Sequence, residues 1–275
     1  MPTQPVTILT SEEFMLPSKH TSRQYRIMIG LPHHYYDEPA KKWPVIYLLD
    51  GNWLFGTVTE MTRFMAWCKT TTDAIVVGIG YPQNKKAIRA GNEELFRRDF
   101  DFTPERDDKF EKEAGKDLKQ KVVTGGADQF IKFIQFELMP LVEKRYRVKP
   151  KKCILAGHSL GGLFTAYALL KSPILFKSYI ISSPSLWYHN KYMFDYEENF
   201  SKHHKTLPAN AFFSVGEMEE FVEDGMATNM LRFVTLMESR KYKGLNLVKK
   251  FFSGENHCEV IPPALQAGLK WALKK

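Results

Sequence analysis

The segment Cys153-Ile154-Leu155-Ala156-Gly157-His158-Ser159-Leu160-Gly161-Gly162 places a hydroxyl where it could attack a carbonyl. Cys153 to Ala156 is an apolar run that reads as a buried strand, and Leu160 to Leu170 carries helix formers with apolar spacing. Ser159 therefore stands at the tip of a tight strand-to-helix turn, in the pattern Gly157-x-Ser159-x-Gly161. To expose its hydroxyl, the serine must take a strained backbone conformation, and side chains two positions away would meet the crossing chain; hence the glycines. Leu160 opens the helix, so its N–H points toward negative charge growing beside the serine. A Gly-Ser-Gly turn without chemistry has the same letters. The strand before it and the helix after it favour the nucleophile.

A serine hydroxyl needs a base to take its proton, and a histidine, with an unperturbed pKa of about 6.5, suits that task. His257 follows the last strand-like run in the loop Gly254-Glu255-Asn256-His257. Alone it would pass for a surface histidine. His33-His34 and His203-His204 sit in polar stretches without the spacing of a metal site, and His158 is too close in sequence to reach around to Ser159. The third member should be an acid just beyond the strand ending at Val215, where Glu217, Glu219, Glu220 and Asp224 compete. Glu219 is preferred and Glu217 is second, although sequence does not settle which faces His257. Serine, acid, histidine, each on a loop after a strand, is the order used in an α/β-hydrolase sheet. A second oxyanion donor is expected from the turn after Leu49, which makes the backbone N–H of Asn52 the partner of the Leu160 N–H. Trp53, Trp187 and Tyr188 are candidate pocket walls, with core packing an equal alternative for each.

The elements that must hold these groups follow from periodicity. Val6–Leu9 and Gln24–Leu31 are expected to be antiparallel edge strands. Trp43–Leu49, ending in the turn signal Asp50-Gly51-Asn52, and Ala74–Gly80 are continuous apolar runs suited to strands covered on both faces. A helix is expected over about 57–69 and another over 127–146, bent by Pro140, with Phe130, Phe133 and Phe136 in the core. Ser178–Ser183, Asn210–Val215 and Leu245–Phe252 are further strands, with helices over about 227–239 and 263–273. Residues 184–188 read as an irregular aromatic loop. The stretch 97–126 breaks the pattern: it is dense in charge and reads as a solvated loop or flap bordering the site. Strands alternating with helices mean one doubly wound, mostly parallel sheet with helices on both faces, in a single domain over residues 1–275.

Composition narrows the function classes. With 275 residues, 44% of them hydrophobic and 13% aromatic, the chain can build a sizeable core. The net charge of +8 is scattered among acids rather than gathered on a basic helix, so no nucleic-acid partner is expected, although a positive field favours anionic substrates. Three widely spaced cysteines, Cys68, Cys153 and Cys258, imply no disulfide framework. Met1–Thr10 lacks the pattern of a signal peptide and no run is long enough to span a bilayer. A cytoplasmic enzyme without metal, cofactor or membrane partner is expected, provided no leader has been removed. Oligomeric state is left open.

Tyr47-Leu48-Leu49-Asp50-Gly51, Gly125-Gly126-Ala127, Gly157-His158-Ser159-Leu160-Gly161-Gly162-Leu163, Ser183-Pro184-Ser185-Leu186-Trp187, Val215-Gly216-Glu217-Met218-Glu219 and Gly254-Glu255-Asn256-His257 together resemble the Putative esterase family of α/β-hydrolases. The branch most similar is that of the ferric-siderophore (enterochelin, salmochelin and bacillibactin) esterases, and the likeness runs from about Val6 to the C-terminus. The resemblance implies the α/β-hydrolase fold, nucleophile Ser159, base His257, an acid within Glu217–Glu220 and oxyanion amides at Asn52 and Leu160. Some siderophore esterases are thought to work with a Ser-His dyad, which would leave the acid dispensable. The resemblance also puts Arg97, Arg98 and Asp99 in an arginine-rich segment before a Thr-Pro, as a substrate contact. The expected activity is carboxylic ester hydrolysis through an acyl-enzyme, on siderophore-type esters. Esters of acylated sugars, feruloyl esters and general acyl esters are alternative substrates, and a non-catalytic binding protein on the same fold is the alternative of another class.

Overall fold

Trp43–Leu48 (β3), Ile75–Gly80 (β4) and Ser178–Ser182 (β6) are buried at every position, which only a sheet covered on both faces allows. The computed structural model describes residues 4, 6–83, 92–119, 121–221 and 225–274. Within them, eight strands form one sheet in the order β1-β2-β4-β3-β5-β6-β7-β8. The remaining strands are β1 (Ser11–Pro17), β2 (Gln24–Gly30), β5 (Val148–His158), β7 (Asn210–Gly216) and β8 (Asn246–Phe252). β1 pairs with β2 and β2 with β4 antiparallel, and every other pairing is parallel.

Helices α1 (Gly51–Trp67) and α9 (Ile261–Ala272) cover one face. There Phe55, Val58, Leu265 and Leu269 pack on Ile46, Leu48, Val76 and Phe212. The other face is covered by α4 (Ala127–Phe133), α6 (Leu160–Lys171) and α8 (Met226–Arg240), through Phe130, Phe164 and Phe233 among others. The doubly wound expectation therefore describes the architecture.

Several boundaries differ from it. The first strand is β1, not Val6–Leu9, whose Val6 and Leu9 side chains are exposed. α1 begins at Gly51 rather than near Thr57, because Asp50 takes a left-handed conformation (φ 52°, ψ 39°) and turns the chain directly from β3 into the helix. The stretch 97–126 is not a structureless flap. It contains the end of α2 (Asn92–Phe102) and all of α3 (Asp108–Leu118). Asp107 caps α3 by accepting from the Lys109 and Phe110 N–H groups, and Phe110 packs against Trp187 and Tyr188 at ring distances of 6.2 and 5.5 Å. One cap and one apolar anchor suffice for a short helix that periodicity alone does not announce.

Between α4 and α5 (Met139–Arg145) the backbone passes through a π-helical turn, Ile134–Leu138, and Pro140 occupies the first turn of α5. Phe136 is 58% exposed, against the expectation, while Phe130 and Phe133 are fully buried. A three-residue spacing lags a helical face by about 60° per step, so the third aromatic has rotated off the core. The loop foreseen at 184–188 is followed by α7 (Tyr188–His203), which contains three consecutive left-handed residues, His189, Asn190 and Lys191. His203 ends that helix and His204 caps it.

Candidate active site

The loops that follow β5, β7 and the edge strand β8 come together. Ser159, directly after β5, has φ 61° and ψ −123°, a conformation that costs an L-residue on the order of 1–3 kcal/mol. Its neighbours hold it there. The Ser159 N–H donates to the Ser182 carbonyl (3.0 Å), while its own carbonyl accepts from Leu163 (2.9 Å) and Ser185 (3.2 Å). A Cβ at Gly157 would overlap the Gly161 carbonyl oxygen, and one at Gly162 would press on the Ser182 carbonyl. At Gly161 a Cβ would lie 3.2 Å from Asp50 Oδ2, a tighter fit than usual but not a collision with backbone.

Ser159 Oγ lies 3.0 Å from His257 Nε2, and His257 Nδ1 lies 2.6 Å from Glu219 Oε2. A carboxylate only accepts, so the imidazole proton sits on Nδ1 and Nε2 is left to accept from the serine hydroxyl. Glu219 is almost fully buried (1% exposed). Its other oxygen, Oε1, accepts from Ser183 Oγ and from the Gly216 N–H, both at 2.7 Å. The carboxylate is thereby fixed in place with one oxygen aimed at the ring.

The competing acids are engaged elsewhere. Glu217 Oε2 accepts from Ser253 Oγ (2.6 Å) and the Gly254 N–H (3.1 Å), which holds the strand end before His257. Those bonds pull its pKa below the ordinary carboxylate range. Glu220 accepts from the Thr228 N–H and hydroxyl at 2.8 and 2.6 Å, and its pKa is lowered in the same way. Asp224 lies outside the described residues.

His158 does not approach Ser159 as a base. It is buried, with Nδ1 3.1 Å from Ser182 Oγ, and its ring lies 4.6 Å from that of His257. Burial, then the neighbouring His257 and Arg98, push its pKa well below the ordinary value, so it packs as a neutral ring. Among the described residues, no three His, Cys, Asp or Glu side chains gather as a metal site.

The start of α1 lies beside the Ser159 turn, where Asp50 Oδ2 approaches Gly161. Leu160 and Asn52 each occupy a first helical turn, where backbone N–H groups have no intrahelical partner. The Asn52 side chain is clamped: its Oδ1 accepts from the Tyr81 N–H (2.6 Å) and its Nδ2 donates to the Tyr81 carbonyl (2.9 Å). Behind this turn, Arg98 donates Nε to Asp50 Oδ1 (2.8 Å) and Nη2 to Oδ2 (3.0 Å). Both side chains are below 10% exposed.

Arg98, expected as a substrate contact, is thus held by Asp50 along its Nε–Nη2 edge. Arg97 is half-buried, and its carbonyl accepts from Arg23 Nη1 (2.9 Å). Asp99 is buried, and burial raises its pKa to about 6. Trp53 is 48% exposed beside Asn52, with Arg98 6.0 Å from its ring. Trp187 is half-buried and its Nε1 has no hydrogen-bond partner among the described residues, whereas Tyr188 is buried and donates to the Glu105 carbonyl. Sequence reasoning missed Ser183, the Asn52 amide clamp and the Asp50–Arg98 pair. A hydroxyl at the end of β6 was a visible signal for the first; nothing in the local sequence announced the other two.

Comparison with known proteins bears on this arrangement. The sequence model of the family described as "Putative esterase" matches residues 18–272. The chain is 32% identical to the ferri-bacillibactin esterase BesA of Bacillus subtilis over 272 residues, which cover 97% of this chain and 91% of that protein. It is 36% identical over 190 residues to the siderophore triacetylfusarinine C esterase of Aspergillus fumigatus, covering 68% and 59% of the two chains. Among solved structures, the BES protein from Bacillus cereus superposes with a TM-score of 0.82 at 31% identity, over 100% of this chain and 99% of that one. Siderophore hydrolase EstB from Aspergillus nidulans gives 0.83 at 26% identity, over 99% and 98%.

Proposed function

This chain belongs to the Putative esterase family of α/β-hydrolases and is a carboxylic ester hydrolase, and from that premise we propose that it cleaves siderophore-type esters through an acyl-enzyme on Ser159. The observation that carries the proposal is the continuous hydrogen-bonded line from Ser159 through His257 to Glu219. Its substrate class is supported by relatives that are themselves named a ferri-bacillibactin esterase and a siderophore hydrolase and match nearly the whole chain.

The chemistry follows from the atoms. As Ser159 Oγ attacks the ester carbonyl, its proton passes to His257 Nε2. The imidazolium so formed is stabilised by Glu219, which keeps the Nδ1 proton oriented and does not itself become protonated. Negative charge on the carbonyl oxygen is received by the N–H groups of Leu160 and Asn52. His257 returns the proton to the leaving alkoxide, and water, deprotonated by the same ring, cleaves the acyl-enzyme. Trp53 and Trp187 wall the approach to the serine. An overall charge of +8 favours an anionic ester such as a ferric catecholate complex. No described helix is long and apolar enough to cross a membrane.

The test is a panel of esters with the wild-type protein and Ser159→Ala: a cyclic triester siderophore with and without iron, a hydroxamate siderophore ester, a feruloyl ester, an acetylated sugar and p-nitrophenyl acetate. The siderophore esters should give the highest kcat/KM, and Ser159→Ala should remove turnover of every member. Faster cleavage of feruloyl or acetyl-sugar esters overturns the substrate class. Equal activity in Ser159→Ala overturns the serine mechanism.

A further inference from the structure

The end of the sheet remote from Ser159 carries a cavity that the hydrolysis does not use. It has a volume of about 480 Å³ and lies where β3, β4 and β5 begin and α1 ends. Six residues of β5 separate Lys152 from Ser159, so roughly 20 Å of strand lies between the two sites. A concave space of this size, walled largely by apolar groups with a few polar ones, is the usual form of a small-molecule site.

Its lining has a definite chemistry. Trp43, Pro44, Ala66 and Trp67 supply flat apolar walls, and Trp67 is 73% exposed, with its ring against Phe64 at 5.7 Å. Lys42, Lys69, Lys149 and Lys152 stand around the opening, all exposed. The neighbouring Lys41 is drawn to Glu38, with its ammonium 3.9 Å over the Trp43 ring. Arg63, although in the wall, is spent on the Leu31 and Thr10 carbonyls and on Glu60. The carboxyl in the lining is Asp73, whose pKa is raised chiefly by burial and which offsets part of the positive charge of the rim. His33, also in the lining, faces Asp73, and His34 pairs with Asp37.

A flat aromatic wall and several cations together select a planar apolar body that carries negative charge. A second, smaller cavity of about 190 Å³ shares Pro44, Thr72 and Lys152 with the first and adds Lys177 and Lys274, which extends the positive rim.

We propose that this cavity is a binding site for a small aromatic carboxylate, separate from the hydrolytic centre. The aromatic ring lies against Trp67, and the carboxylate is held by the ammonium groups of Lys69, Lys149 and Lys152. Ammonium groups on an exposed rim are screened by salt, so binding weakens as ionic strength rises.

The test uses 1-naphthoate, with 1-naphthalenemethanol as its uncharged counterpart, titrated calorimetrically into the full-length protein at low and at 0.5 M salt. One saturable site is expected for the carboxylate, and binding of the alcohol at least tenfold weaker. Lys149→Gln/Lys152→Gln and, separately, Trp67→Ala should each weaken naphthoate at least tenfold, with unchanged circular dichroism and unchanged p-nitrophenyl acetate turnover. Ser159→Ala should bind naphthoate like the wild type, which separates failure of this site from failure of the esterase mechanism. The proposal is overturned by the absence of saturable binding, by alcohol binding as well as the carboxylate, by indifference to both sets of variants, or by competition between naphthoate and the ester.

Discussion

Two buried carboxylates flank the nucleophile, and they are held in opposite ways. Glu219 faces a histidine that gains and loses a proton in each proposed turnover; its remaining bonds come from a hydroxyl and a backbone N–H, both neutral. Asp50 faces Arg98, which stays charged throughout, and sits at the left-handed turn that starts α1. The first carboxylate therefore keeps its charge available for a transient imidazolium. The second has its charge cancelled permanently and works as a strut. A carboxylate near a serine is thus read by its partner: a titrating ring marks the side where charge moves, and a guanidinium marks the side where geometry is fixed.

Variants on each side can break this contrast. The largest effect is expected from Glu219→Gln, which keeps the shape but removes the charge that steadies the imidazolium. By analogy with acid-to-amide changes in serine triads, kcat should fall by about 10³-fold or more, with little change in Tm. A loss below tenfold in steady-state kinetics would mean that a serine–histidine dyad suffices. Next comes Arg98→Met, which leaves Asp50 buried without its partner. Stability should fall by about 3–5 kcal/mol in urea titration, and kcat by about 10²-fold as the Asn52 donor loses its support. A variant with wild-type stability and a raised KM alone would return Arg98 to the substrate side. Ser183→Ala, which deletes one hydrogen bond to Glu219, should cost about tenfold in kcat, partly restored by Ser183→Thr.

The smallest effect concerns Asp101, beneath the oxyanion side. Fully buried and bound by the Tyr81 hydroxyl at 2.9 Å, it has a pKa that burial raises to about 7. Its folded form binds a proton more tightly than the unfolded chain does, so its contribution to stability is complete below about pH 4 and is lost as pH rises toward 7. Asp101→Asn should flatten the stability profile across that window and leave kcat near the wild-type value. An unchanged slope in pH-dependent denaturation would show that Asp101 is ionised throughout.

The same contrast explains what the sequence could reveal. Ser159 and His257 were legible because strand order and glycine spacing are one-dimensional signals of a three-dimensional turn. Glu219 could be ranked above its neighbours but not separated from them, since Glu217, Glu219 and Glu220 differ only in the direction each leaves one short 3₁₀ turn. The parallel sheet was legible from continuous apolar runs. The helices at Asn92–Phe102 and Asp108–Leu118 were not, because in the first Phe102 is buried beside the ionisable Arg98, Asp99 and Asp101, and in the second Phe110 stands among charges, which hides the apolar positions in the sequence. Nor was the Asp50–Arg98 pair legible. A charged residue in sequence carries no mark of the partner, 48 positions away, that neutralises it.

The most direct test of the central claim is the rate and site of reaction with a fluorophosphonate, followed by intact-mass and peptide mass spectrometry in wild type and His257→Ala. One adduct per chain is predicted, on Ser159, formed at least a hundredfold more slowly when His257 is removed. Labelling at another residue, or at Ser159 with a rate indifferent to His257, would contradict it.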